Sequence, residues 1–139
     1  MDTKKGFRFE HFPQGGVCYL APCKAKNLFL PEPGQMVSMI NGELVEALCY
    51  PLQLFGVVSH YDNANKVFKV WPQWAFFSVN DPFERSSGDL LLLGSDGMNV
   101  LEKFGSEGSR FGNLAVIRRS KKTQRTLVGI KSDCRALPI

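Results

Sequence analysis

Proline and glycine interrupt this chain so often that few segments are long enough for a helix. Pro13, Gly15-Gly16, Pro22, Pro31, Pro33-Gly34, Pro51, Pro72 and Pro82 stand at short intervals, with brief apolar runs between them. Proline removes a backbone donor and glycine opens turn conformations, so the rhythm predicts short strands joined by tight turns.

Three hairpins follow from the turn chemistry. Gln35–Ile40 leads into Asn41-Gly42 and then Glu43 onward, and Asn-Gly supplies the positive φ angles of a type I′ turn. The stretch from Gly42 to Cys49 also suits a short helix, since Glu, Leu and Ala are good helix formers, with Pro51 as its stop. Leu52–Tyr61 and Lys66–Val79 flank the turn formers from Asp62 to Asn65, and Asn113–Arg119 and Thr126–Lys131 flank Ser120 to Arg125. Leu90–Leu93 reads as a short apolar strand ended by a turn over Gly94 to Gly97. Met98–Phe104 suits either a strand or one helical turn, and Ser106–Gly112 a glycine-spaced loop. The expectation is a mainly β chain, at most a β-rich α+β one. It would form a small bent antiparallel sheet or an SH3-like barrel, with little helix. No repeat or linker divides the 139 residues, so 1–139 is expected to be a single domain.

The stretch KVFKVWPQWAFF, Lys66 to Phe77, holds both tryptophans. On one unbroken strand, Phe68, Val70, Pro72, Trp74 and Phe76 share an apolar face. The opposite face mixes Lys69 and Gln73 with Trp71 and Phe77, which makes Trp71, with Lys69 beside it, the candidate for an exposed stacking surface. Pro72 cannot donate to a ladder. A break there resets the alternation and turns Trp74 outward instead.

Charge is spread unevenly. The net charge is +4, yet residues 110–139 carry eight basic side chains and one acid, while the preceding 109 residues carry nine basic and twelve acidic ones. Arg118, Arg119, Lys121, Lys122 and Arg125 crowd into eight residues around one turn. Their mutual repulsion is relieved by a bound polyanion. A solvated tip that protects a sheet edge is the plainer explanation of the same pattern.

Catalytic and metal chemistry find little support. Cysteines 18, 23, 49 and 134 form no C-x-x-C pair, and only His11 and His60 are available to complete a zinc site. The N-terminus lacks an apolar signal region, and no run approaches about 20 apolar residues, so reduced thiols in a cytoplasmic protein without a membrane span are expected. Cys49 with His60 and Asp62, or Cys18 with His11, would pair a nucleophile with a base, but neither sits in a known signature. The glycine-rich segments 94–97 and 105–108 match no phosphate-loop pattern, and each carries an acid. No catalytic residue, metal or cofactor is assigned.

The pattern therefore points first to a small non-enzymatic basic domain that binds nucleic acid. Arg118, Arg119, Lys121, Lys122 and Arg125 would contact the backbone, with Trp71 and Lys69 adding a stacking surface. The alternative is a protein-binding or inhibitory module, using the aromatic strand or offering the basic tip to an acidic protein. An enzyme of unrecognised type comes third.

Overall fold

Each expected turn forms a hairpin, and the hairpins sort into two sheets. The computed structural model describes residues 5–12, 20–47, 53–101 and 111–136, the last of these with side chains for 114–131. The strands are β1 (Arg8–His11), β2 (Ala21–Ala25), β3 (Met36–Ile40), β4 (Glu43–Glu46), β5 (Leu54–Asp62), β6 (Val67–Pro72), β7 (Phe76–Asn80), β8 (Leu90–Leu93), β9 (Val100–Leu101), β10 (Phe111–Ser120) and β11 (Arg125–Ala136). Strands β2-β4-β3-β5-β6 close into a barrel, and β1-β7-β11-β10-β8-β9 form a six-stranded sheet. The chain is almost entirely β, as expected. The barrel contains one parallel pair, β2 with β4, which hairpin signals alone do not reveal.

The turns explain the pairings. Asn41 and Gly42 adopt φ of 52° and 80°, and Ile40 pairs with Glu43, so the two-residue turn wins over the helix that Glu43 to Ala47 would also suit. At the next hairpin the Asp62 carboxylate accepts from the Ala64 and Asn65 amides (3.0 and 3.3 Å) and from the Asn65 side chain (2.8 Å), holding the turn shut. In the third, Ser120 pairs with Arg125, and the Gln124 amide returns to the Ser120 carbonyl at 2.9 Å.

The segment Lys66–Val79 is not one strand. Strand β6 ends at Pro72, the Ala75 amide bonds back to the Pro72 carbonyl at 3.1 Å, and β7 then enters the other sheet between β1 and β11. Val100–Leu101 is strand, one of the two forms that Met98–Phe104 suits. One further boundary differs from expectation: β10 already begins at Phe111, inside the expected loop; residues 102–110 lie outside the described residues.

Because the chain crosses between sheets, one apolar core spans both. Met36, Leu54 and Val57 of the barrel strands pack with Phe77, Leu91, Leu114, Val116 and Val128 of the sheet. The barrel interior holds a second cluster of Cys23, Val37, Leu44, Val58 and Val70. Among the described residues no helix is long and apolar enough to cross a membrane.

Gly56 sits opposite Pro72 where β5 meets the end of β6, and a Cβ there would overlap the Trp71 carbonyl oxygen. Gly56→Ala is therefore expected to cost about 3 kcal/mol or more. Gly42→Ala meets no atom within 4 Å and costs only the left-handed backbone penalty, about 1 kcal/mol. Urea unfolding midpoints of the two variants check this order.

Candidate anion-binding groove

The sheet face turned away from the core carries a row of polar side chains beside the apolar Phe76 and Leu127. Across it, Arg8 of β1 lies opposite Ser78 of β7, Ser78 opposite Leu127 of β11, and Leu127 opposite Arg118 of β10. A register shift between Val116 and Arg118 lets Val116 face the core while Arg118, two residues on, faces solvent. The Glu10 carboxylate accepts from the Ser78 hydroxyl at 2.6 Å and from Arg8 Nε at 2.9 Å. Ser78 in turn accepts from Arg125 Nε at 3.0 Å, while the other Arg125 nitrogens donate to the Ser78 carbonyl and the Asn80 side chain, each at 3.0 Å.

This corrects the picture of five cations crowded on a solvated tip. Arg125 is only 8% exposed and spends its donors tying β11 to β7. Arg119, on the other side of the hairpin, donates to the Asp81 carbonyl at 2.7 Å, and its buried Nε has no acceptor among the described residues. Arg118, Lys121 and Lys122 remain exposed. Beneath the hairpin, the Asp81 carboxylate is fully buried and accepts from Arg85 Nε (2.9 Å), the Thr126 hydroxyl (2.8 Å) and the Phe83 amide (3.2 Å). Arg85 also donates to the Leu101 carbonyl at 2.7 Å.

Three clefts surround these groups. One of about 200 Å³ lies on the sheet face between Arg8, Glu10, His11, Arg118, Thr123 and Arg125. Another, about 220 Å³, lies at the junction with the barrel between Lys5, Arg8, Phe9, Ser59, Trp71 and Arg125. The two adjoin at Arg8 and Arg125. A third, about 420 Å³, is walled by Glu84, Arg85, Ser86, Arg119 and Lys121.

Trp71 is not the exposed tryptophan. Its ring stacks on Phe9 with centroids 3.9 Å apart and meets the edge of Phe12, so it lies half-buried against the shared core. Trp74 is 48% exposed, because the break at Pro72 resets the alternation. Lys69 lies on the barrel, opposite His60 and 4.0 Å from the Asp62 carboxylate, and lines none of the three clefts.

The other chemical candidates stay apart. His60 Nδ1 lies 3.0 Å from the Ser59 hydroxyl, and His11 Nδ1 lies 3.2 Å from the Phe12 carbonyl; Cys18 and Cys49, their suggested partners, fall outside the described residues. Cys23 is a free thiol in the barrel interior, and burial raises its pKa above the ordinary range. No group of three potential metal ligands occurs among the described residues. In the turn from Gly94 to Gly97 the amides of Gly94, Gly97 and Met98 bond within the turn and its flank, leaving no ring of donors for an anion; 105–108 lie outside the described residues.

Sequence reasoning did not find Arg8 and Lys5, which the fold carries to the groove, nor Leu28 and Leu30, which stand 94% and 82% exposed on the β2–β3 connection. Comparison of the chain with protein-family models, with curated proteins and with solved structures found no match.

Two predictions test this polar framework. Burial raises the Glu10 pKa, but the hydrogen bond from Ser78 and the bond and charge of Arg8 outweigh it and hold the carboxyl below its ordinary value. A depressed pKa contributes stability above the unfolded value, about 4.3, which is lost as pH falls through the folded value. Glu10→Gln should thus flatten the acid limb of a stability–pH curve and leave its neutral region unsteepened. Asp81→Ala leaves Arg85 buried without its carboxylate and should cost about 3–5 kcal/mol. Combining it with Arg85→Met should recover part of that loss in a double-mutant denaturation cycle.

Proposed function

We propose that the protein is a non-enzymatic binding domain that holds a nucleic-acid backbone in the groove beside the third hairpin. The observation that carries this is the meeting of two clefts at Arg8 and Arg125, so that Lys5, Arg8, Arg125 and Arg118 line one path. The single carboxylate on that path, Glu10, is already engaged by Ser78 and Arg8. Lys121 and Lys122 extend the basic surface past the turn. Arg125 serves as the fixed floor of the groove, because its donors hold two strands in register. Trp71 lines the junction end, half-buried against Phe9.

Fluorescence anisotropy with labelled single-stranded and duplex oligonucleotides, repeated across salt concentrations, tests the proposal. Affinity should fall steeply with salt, and Lys121→Glu with Lys122→Glu should abolish binding while changing stability by less than about 0.5 kcal/mol. Arg118→Ala should flatten the log–log salt plot by about one unit. Arg125→Ala should lower stability first, by freeing β11 from β7. A wild-type protein with no affinity for any of these oligonucleotides at low salt refutes the proposal.

A further inference from the structure

The β2–β3 connection displays two leucines that the fold does not use. Leu28 is 94% exposed and Leu30 is 82% exposed, on a turn closed by the Phe29 amide bonding to the Lys26 carbonyl at 3.0 Å. Leu28 is also held at φ 70°, a region that a leucine side chain disfavours. Folding gains nothing from either feature. Beside them runs an open groove of about 570 Å³, between this connection and the β5–β6 turn, with Phe29, Tyr61 and Phe68 in its walls. Lys24, Lys26 and Lys66 rim it, and no carboxylate lines it.

We infer that this groove docks an extended segment of another protein that alternates large apolar side chains with Asp or Glu. The leucines and ring walls take the apolar side chains, and the three lysines take the carboxylates. The observations favour this occupant over two others. A flat bilayer would accept the leucine tips but leave the concave groove unfilled. A second copy docked through the same patch would bring the three lysines against their own equivalents. The inference stands apart from nucleic-acid binding, since this patch lies on the barrel and the basic hairpin on the other sheet.

Selection of a random peptide library displayed on phage against the full chain tests it. Enriched peptides should combine Asp or Glu with large apolar residues, and their synthetic forms should bind about tenfold or more weakly to the Leu28→Ser, Leu30→Ser double variant. That variant should keep the wild-type melting temperature, because both side chains are exposed. Leu28→Gly separates structure from binding: it relieves the backbone and should raise the melting temperature while weakening the peptide. Lys24→Glu with Lys26→Glu should weaken the peptide as well. No enriched family, or an enriched family that binds the leucine variants unchanged, overturns the inference. So does sedimentation with phosphatidylserine vesicles that depends on Leu28, or a dimer in analytical ultracentrifugation that the double variant abolishes.

Discussion

The chain changes sheets at Pro72, and most of the structure depends on that constraint. Proline cannot donate to a ladder, so the barrel strand stops there, turns through Gln73 and Trp74, and resumes as the second strand of the other sheet. The crossing brings Phe77 and Val79 into one core with Met36 and Val57, so the two sheets share their apolar interior. It needs close backbone approach at one point, where Gly56 faces the Trp71 carbonyl. The same crossing turns Trp71 onto Phe9 and leaves Trp74 outside.

Once β7 lies beside β11, the polar side chains of the two strands organise each other. Ser78, Asn80 and Asp81 come from one strand and its end, Arg125 and Thr126 from the other, and the one cation among them, Arg125, is spent on holding the strands together. What remains exposed on the hairpin is a smaller set, Arg118, Lys121 and Lys122, and Arg8 of the edge strand β1, already bonded to Glu10, lines the same cleft as Arg118. The exposed cations thus come from β1, β10 and the turn after β10 rather than from one basic run.

The turns were legible because their chemistry is local. Asn41-Gly42 and the carboxylate of Asp62 specify their own backbone geometry, and the mainly β class follows from them. The burial of Arg125 was not legible, since it depends on Ser78 and Asn80, 47 and 45 residues away. Alternation along Lys66–Phe77 held only with the strand broken at Pro72, because period-two reasoning assumes an unbroken ladder. Leu28, Phe29 and Leu30 form an apolar triplet that looks like core in the sequence; only the tight turn around them exposes two of the three.

The parallel pairing of β2 with β4 has a consequence for how the barrel assembles. Strands β3 and β4, and β5 and β6, are hairpin partners, and β3 joins the two hairpins by pairing with β5. Strand β2 precedes them all in the chain yet pairs with both β4 and β6, so it docks only after those two are in place. Barrel closure is therefore a late, non-local event, of the kind that slows folding. Until it happens, β4 and β6 are open edges on which another chain can pair. The period before β2 arrives is when a newly made or heat-stressed molecule is most prone to aggregate.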